Sequence, residues 1–379
     1  MSYDPGKNQA GNPQRINNRT QLRSNGQLLF MIQGFNLNDF NAMTEEPDKK
    51  TLFSKGNLIF YGLAMLISLF AVYYFGEIKT DIRLFREINP GWLLLAVLGQ
   101  IGTYFFGAVV YQQLLTGFHI HIRQTVWKLF KISFITLFFN QTIPSAGISG
   151  NTFLFQYLHK YKVAVNNIVA LVAVELLSFY AAIELVIILT AAFSLLWSYM
   201  PRLLYLLLGI GFMVYFLLGM GINLLANKRV ISALKKKLSS AKLFAKPGNM
   251  LQTFSAANGP VVRPIAFFKE HPGAAYRAIG LQVLIFLSDT FTILALFRGF
   301  GTPVHMLTVS AGFLLTRIIS LLPVAPGGLI LYESSMTYFF SRLGVPFNQA
   351  LVITLLYRAL SFWLPMIIGF FVYKKMRRE

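Results

Sequence analysis

Long apolar runs separated by short polar segments dominate the chain. Their lengths approach the ~20 residues that a helix needs to cross the hydrocarbon core of a bilayer. The uninterrupted runs that predict membrane-spanning helices are 58–75, 92–115, 163–190, 203–225, 279–297 and 350–373. This pattern predicts an all-α polytopic membrane protein with about six full spans.

Two further apolar runs end at clusters of proline and glycine. The run 126–143 meets a break at 144–150, and the run 306–322 meets a break at 323–328. Proline ends a helix and glycine frees the backbone, and irregular backbone at membrane depth must be covered by protein or line a water-filled cavity. Both breaks are therefore expected to face an internal polar cavity. The candidate substrate-binding residues at the breaks are Pro144, Gly147, Gly150, Gly327 and Gly328.

The distribution of charge predicts the topology. The chain has 34 Lys and Arg against 14 Asp and Glu, a formal net charge of +20, and most basic residues cluster beside apolar runs. Basic residues concentrate on the cytoplasmic side of membrane proteins. All major clusters fall on that side if the segments 126–161 and 306–340 each enter and leave the membrane on one face. We therefore expect two oppositely directed re-entrant helical hairpins, and cytoplasmic N- and C-termini in the cell (inner) membrane.

The composition excludes several classes of function. With 55% hydrophobic and 13% charged residues, the chain is not an ordinary soluble enzyme. The absence of cysteine excludes thiolate metal sites, iron–sulfur clusters and cysteine nucleophiles. His119 and His121 alone do not complete a zinc site, and no phosphate-binding loop or hydrolase elbow occurs. We expect no metal, no cofactor and no catalytic residues.

Basic regions outside the spans predict contact with membrane phospholipids, anionic at the cytoplasmic surface, and not with nucleic acid. Residues 1–54 predict a disordered or interfacial basic cytoplasmic tail, and residues 55–379 predict the transmembrane domain. Within that domain, 228–277 has apolar residues at helical spacing beside lysines, which predicts a basic amphipathic cytoplasmic segment. Its role is open between a headgroup sensor and a topology anchor. A homodimer is also left open.

An internal repeat relates the two halves of the chain. Downstream of the two breaks, residues 175–180 resemble residues 358–363. Inverted repeats with broken helices are typical of secondary transporters, whose sites lie near the membrane midplane, although short apolar matches also arise by chance. Glu175 and Arg358 occupy corresponding positions. We predict that they form an ion pair, which serves either the substrate or helix packing.

Other ionisable residues also fall inside apolar runs, where each costs about 2.5–3.5 kcal/mol on insertion scales and needs a partner. Arg317 precedes the second break and Glu333 follows it, so both are expected to line one cavity and accept a zwitterionic headgroup, unless they only brace the hairpin. Arginine suits phosphate, and helix starts after Gly150 and Gly328 would add N–H donors for an anion. Asp289 is either a proton-linked carboxylate or a residue satisfied by the neighbouring hydroxyls.

The second half carries motifs of a known family. The proline-glycine break at 323–328 is followed by Glu333, and Leu-Tyr-Arg at 356–358 leads into Ser-Phe-Trp-Leu-Pro at 361–365. On these motifs, residues 55–373 resemble the flippase-like transmembrane domain of lysylphosphatidylglycerol synthases. We expect no counterpart of the soluble aminoacyl-transferase domain of those enzymes.

The resemblance implies lipid translocation. We expect an integral membrane lipid transporter that moves a phospholipid or lipid-linked headgroup through a polar cavity between the hairpins. The alternatives are an integral-membrane transferase or accessory protein acting on a lipid-linked substrate, and a membrane scaffold that does not transport. Two departures from the family bear on headgroup specificity. Ile330 stands where the family often has a third glycine, and the first break lacks the arginine that commonly follows it.

Overall fold

The regular elements of the structure, a computed structural model, are helical wherever the chain is described. The described residues are 88–120, 125–142, 148–197, 200–225, 264–321, 328 and 330–376. The helices are α1 (Pro90–Gly117), α2 (Val126–Thr142), α3 (Ile148–Lys160), α4 (Val165–Trp197), α5 (Arg202–Leu225), α6 (Pro264–Glu270), α7 (Pro272–Gly299), α8 (Met306–Ile319), α9 (Leu331–Arg342), α10 (Phe347–Arg358) and α11 (Leu364–Met376). A π-helical turn, Ala359–Trp363, joins α10 to α11. The predicted all-α class is confirmed.

The described helices include five that are long and apolar enough to cross a membrane. These candidate spans are Pro90–Gly117, Asn166–Leu196, Arg202–Leu224, Pro272–Gly299 and Phe347–Met376. They coincide with five of the six predicted spans, and the chain is a multi-pass membrane protein. The predicted span 58–75, the tail 1–54 and residues 228–263 of the basic segment lie outside the described residues.

Each apolar run that ends at a break forms a helix, and a second short helix follows the break. These pairs are α2 with α3 and α8 with α9, and the two helices of each pair pack against one another. A glycine allows close approach in both pairs. A Cβ on Gly150 would lie 2.6 Å from Asn140 Nδ2, and a Cβ on Gly312 would lie 2.5 Å from Phe340 Cε1. Helix, break and packed return helix are the parts of a hairpin, and its re-entrant course in the membrane stays a prediction.

The most extensive helix packing is between α1 and α7. Gly99 of α1 brings the two backbones together, because a Cβ there would lie 2.7 Å from Thr292 Oγ1 of α7. Thr292 also donates to the Ala96 carbonyl across the interface at 3.3 Å. Small residues and hydroxyls are the usual means of holding membrane helices together. This contact fixes the polar face of α1 against the middle of α7.

A buried aromatic core surrounds the second hairpin. Phe297 of α7 meets Phe340 of α9 edge to face, with ring centroids 5.0 Å apart. Phe313 of α8 makes a similar contact with Tyr357 of α10, at 5.7 Å. The first hairpin reaches this region through α11, since Gly369 packs directly against Phe138 of α2. The hairpins and the last span therefore converge around the end of α10.

Candidate functional site

Two ion pairs lie inside the helix bundle. Arg317 Nη2 is 2.8 Å from Asp289 Oδ2, and Arg358 Nε is 2.6 Å from Glu333 Oε1. Asp289 is 2% exposed, Arg358 7%, Glu333 18% and Arg317 29%. Arg317 and Arg358 lie in the last turns of α8 and α10, and Glu333 lies in the first turn of α9. The helix dipole favours a cation at a C-terminus and an anion at an N-terminus, so it stabilises Arg317 and Glu333. It does not act in this way on Arg358, because that helix continues to Met376.

Asp289 is satisfied from two sides. Thr103 Oγ1 and Gln100 Nε2 of α1 donate to its Oδ1 at 2.9 and 3.4 Å, while Arg317 binds the other oxygen. The neighbouring hydroxyls expected from the sequence are not the partners of Asp289. Thr290 and Thr292 donate instead to backbone carbonyls of their own helix. Asp289 is thus a hydrogen-bonded residue, and its partners come from the α1–α7 interface.

Aromatic rings hold the arginines and connect the two pairs. The Arg358 guanidinium lies 4.6 Å from the ring centroid of Tyr332 and 4.3 Å from that of Phe362. Arg317 lies over Phe313 at 4.9 Å. Tyr357 stands between them, since it stacks on Tyr332 at 6.4 Å and touches Phe313. Cation–π contacts stabilise a desolvated guanidinium, so the two ion pairs and their rings form one cluster, the paired-charge centre.

A π-helical turn follows Arg358 directly. The Leu364 N–H bonds to the Ala359 carbonyl, one residue further back than in an α-helix. The Leu360 carbonyl then accepts from Tyr104 OH of α1 at 2.7 Å. The Ser361 carbonyl, which would bond to residue 365 in an α-helix, faces a proline without an N–H. It accepts from Gln141 Nε2 of α2 at 3.3 Å instead.

This turn joins the first hairpin to the paired-charge centre. Side chains from α1 and α2 satisfy the two carbonyls that the π geometry and Pro365 leave without a helical partner. π turns occur frequently at functional sites. The sequence contained one signal for this turn, the proline at 365. Because proline has no N–H, the carbonyl of Ser361 must accept a hydrogen bond from another group.

Some polar atoms of the centre retain hydrogen-bonding capacity. In the described part of the chain, the buried atoms Arg317 Nε and Glu333 Oε2 have no hydrogen-bond partner. The same is true of Gln100 Oε1 beside Asp289 and of Gln141 Oε1 beside the π turn. Buried polar groups normally have partners. Within the described residues, the centre therefore holds one charged donor, one charged acceptor and two amide acceptors whose hydrogen-bonding capacity is unused.

Comparison with known proteins identifies the family to which this arrangement belongs. The family described as the lysylphosphatidylglycerol synthase TM region matches residues 59–369, which include both ion pairs and the π turn. The chain belongs to this family. The resemblance read from the motifs of the second half is thereby confirmed.

Several archaeal relatives are similar over different lengths. UPF0104 membrane proteins of Methanocaldococcus jannaschii and Pyrococcus horikoshii are 25% and 23% identical over 84% and 85% of this chain, covering 94% and 97% of their own lengths. A UPF0104 membrane protein of Methanothermobacter thermautotrophicus is 30% identical over 86 residues. That match covers 23% of this chain and 25% of the relative. The similarity to the first two therefore covers most of the transmembrane domain.

The second break of this family member ends in left-handed backbone. Gly328 has φ +66° and Ile330, the residue before α9, has φ +70°. A positive φ is costly for a β-branched residue. Ile330 therefore introduces backbone strain immediately before the helix that carries Glu333. Gly327 lies outside the described residues.

The first break contributes less than expected. The helix α3 begins at Ile148, so the predicted helix start after Gly150 is wrong, and the Gly150 N–H donates to Asn140 Oδ1 at 2.7 Å. A substrate-binding role of Gly150 stays a prediction. Asn140 belongs to α2 and caps the facing helix α3, because the first N–H groups of a helix need partners from outside it. Pro144 and Gly147 lie outside the described residues.

The predicted partner of Arg358 is corrected, because Arg358 pairs with Glu333 and not with Glu175. Arg317 pairs with Asp289, so the alternative in which Arg317 and Glu333 brace the hairpin is wrong. Glu175 lies on α4, whereas Arg358 ends α10, which packs against α9 and its Glu333. Residues at corresponding positions in two repeats need not be in contact. Here, the packing of α9 against α10 brings Glu333 closer to Arg358 than Glu175 is.

Proposed function

We propose that this protein moves a phospholipid or lipid-linked headgroup across the membrane at the paired-charge centre, without modifying it chemically. The observation that carries the proposal is the free hydrogen-bonding capacity of one buried atom on each of two oppositely charged, partly buried side chains. Arg317 Nε and Glu333 Oε2 have no partner among the described residues, although both side chains are already held in ion pairs.

The chemistry of a headgroup matches this capacity. A headgroup loses its hydration in hydrocarbon, and an uncompensated polar group there costs several kcal/mol. The guanidinium of Arg317 can bind a phosphate oxygen through Nε while Nη2 keeps its bond to Asp289. Glu333 Oε2 can accept from an ammonium or hydroxyl group while Oε1 keeps Arg358. A zwitterionic or hydroxylated headgroup can therefore bind without either protein ion pair being broken.

The arrangement of the helices supports movement. Arg317 and Glu333 lie on the two limbs of the second hairpin, and Gln141 near the end of α2 bonds to the π turn after Arg358. Transporters built from interrupted helices alternate access by rocking one half against the other. Displacement of either hairpin would change which side of the membrane reaches the charges.

The test is the transbilayer movement of a fluorescent phospholipid in vesicles containing the purified protein. Arg317→Gln and Glu333→Gln should each slow movement by about tenfold or more, the loss expected when one charged hydrogen bond is removed. Arg298→Gln and Glu270→Gln are matched controls, because both side chains are exposed at helix ends and form no part of the centre. Parental rates in both site variants, with the controls also at parental rates, would contradict the proposal.

An enzyme acting on a lipid-linked substrate is the second candidate. The specific observation in its favour is the same free Glu333 oxygen, since a general base needs an unoccupied carboxylate oxygen. Mass analysis of the labelled lipid after the vesicle assay separates the two candidates. A transporter returns the lipid unchanged in the opposite leaflet, whereas a transferase changes its mass.

The membrane location belongs to the proposal as well. The basic clusters beside the apolar runs support cytoplasmic N- and C-termini in the cell membrane, with anionic phospholipids as partners at that surface. A homodimer is compatible with this placement. Single-cysteine labelling tests the orientation.

A further inference from the structure

A cavity lies at one end of the helix bundle. The end of α4, the connection to α5, the first turn of α8 and the end of α9 enclose a volume of about 320 Å³. Its lining includes Ser194, Met200, Leu307, Thr308, Arg342 and Leu343. None of these residues belongs to the paired-charge centre. In the predicted topology, this end of the bundle is the outer side of the membrane.

One arginine dominates the chemistry of the cavity. Arg342 Nε donates to Tyr338 OH at 3.3 Å, and the guanidinium lies 5.6 Å from the centroid of that ring. In contrast to Arg317 and Arg358, Arg342 forms no ion pair within the described residues. The contact with Tyr338 uses the Nε–H and orients the guanidinium. The N–H groups of the two Nη atoms remain available as donors. Those donors form a fork that matches two oxygens of a phosphate.

The rest of the lining suits an amphipathic ligand. Thr308 supplies a hydroxyl, and Met200, Leu307 and Leu343 supply apolar surface. The Ser194 hydroxyl is already bonded to the Ala191 carbonyl and to Tyr205 OH. Next to Ser194 in the chain, Leu195 and Leu196 are 74% and 72% exposed at the end of a candidate span. Exposed leucines on a spanning helix face lipid chains. A ligand with a charged head and an apolar tail can thus bind with its head at Arg342 and its tail against apolar surface.

We propose that this cavity is a binding site for a phosphate ester, held by the fork of Arg342 and the hydroxyl of Thr308. Its volume is near the lower limit of the roughly 300–1,000 Å³ typical of ligand sites, which suits a glycerophosphate-sized group and leaves acyl chains outside. A phospholipid headgroup and a soluble phosphate ester share this chemistry. The exposed leucines that follow Ser194 in the chain favour the phospholipid.

Cysteine protection measures occupancy of the cavity itself. The natural chain has no cysteine, so Leu307→Cys gives a single thiol on the cavity wall, and Leu343→Cys gives a second reporter at the other side of the lining. The purified protein in an uncharged detergent is labelled with a maleimide in the presence of phosphatidylglycerol, diacylglycerol with the same chains, or glycerol phosphate. Phosphatidylglycerol should slow labelling and diacylglycerol should not, because only the first carries a phosphate. Protection by glycerol phosphate at equal concentration would assign the site to soluble esters.

Matched arginine variants decide whether Arg342 carries the binding. Adding Arg342→Gln to Leu307→Cys should weaken protection by about tenfold, the effect of losing a charged partner. Arg202→Gln should leave protection unchanged, because Arg202 is exposed at the start of α5 and does not line the cavity. Equal protection in both variants, or no protection by any phosphate ester at either thiol, would overturn the proposal. Since the measured quantity is binding, failure here leaves transport at the paired-charge centre unaffected.

Discussion

Arg358 and Glu333 form an ion pair of 2.6 Å that ties the end of α10 to the first turn of α9. The guanidinium is 7% exposed and lies between two aromatic rings, so it has exchanged water for protein partners almost completely. The pair therefore holds two helices of the second half together, and it also keeps Glu333 in place beside its free Oε2.

The effects of replacing Arg358 and Glu333 on the free energy of unfolding should not be additive. Arg358→Gln or Glu333→Gln alone leaves a charge without its partner and should lower the free energy of unfolding by about 3–5 kcal/mol. The double variant leaves no charge behind and should lose clearly less than the sum of the two. Denaturant unfolding of the four proteins in one detergent measures the cycle. Strict additivity would mean that the two side chains do not interact in solution.

The strain at Ile330 should be removable. Ile330 has φ +70° and is 52% exposed, so glycine adopts its backbone at little cost and loses little burial. Left-handed backbone costs an L-residue about 1–2 kcal/mol, part of which is offset by the greater freedom of glycine when unfolded. Ile330→Gly should therefore raise the free energy of unfolding by up to about 1 kcal/mol.

Alanine at the same position is the matched control for that measurement. Ile330→Ala removes most of the side chain but keeps a Cβ, so the positive φ remains unfavourable and no stabilisation is expected. Equal effects of the two substitutions would show that the side chain, and not the backbone, determines stability at this turn.

Much of the fold could be predicted from the sequence because it depends on local properties. Apolar runs long enough to span a bilayer predicted the five described spans, and proline with glycine predicted where α2 and α8 end. These features need no knowledge of neighbouring helices. The charged residues at membrane depth were also recognisable, since Arg317, Glu333, Arg358 and Asp289 interrupt apolar sequence.

The partners of those charges could not be predicted in the same way. Which carboxylate meets Arg358 depends on the rotation of α9 and α10 about their axes, which is set by packing of the aromatic core. Repeat symmetry suggested Glu175, but the true partner is 25 residues upstream in the same half. The contribution of Gln100 and Thr103 was missed because it requires the close α1–α7 contact.

Gln141 and Pro365 should be energetically coupled through the Ser361 carbonyl. Gln141→Leu removes the side-chain donor at 3.3 Å and leaves a buried carbonyl unpaired, which should cost about 1–3 kcal/mol. In a Pro365→Ala background the new backbone N–H can bond to the Ser361 carbonyl in α-helical fashion. There, the same Gln141→Leu substitution should cost much less. Equal losses of unfolding free energy in both backgrounds would show that Gln141 does not serve this carbonyl.

Glycine positions in the helices should respond oppositely to alanine. At Gly150 a Cβ meets Asn140 and the Thr136 carbonyl of the facing limb, and backbone atoms cannot move aside cheaply. Gly150→Ala should therefore destabilise the first hairpin by about 1–3 kcal/mol. At Gly280 a Cβ meets nothing within 4 Å, so Gly280→Ala should stabilise α7 by about 0.5–1 kcal/mol. Thermal unfolding of both variants in parallel checks the contrast, and stabilisation by Gly150→Ala would contradict the close approach.

The re-entrant course of the first hairpin can be tested from its end. Lys160 closes α3, and Arg202 begins α5 after the candidate span Asn166–Leu196. If α2 and α3 enter the membrane and return, Lys160 lies on the cytoplasmic side and Arg202 on the outer side. The chain has no cysteine, so Lys160→Cys should react with a membrane-impermeant maleimide only after the cells are opened, whereas Arg202→Cys should react in intact cells. If α2 and α3 instead crossed the membrane as one span, the basic residues around Lys160 would lie outside, and Lys160→Cys would react in intact cells. That result would remove the first hairpin from the transport pathway proposed for the paired-charge centre.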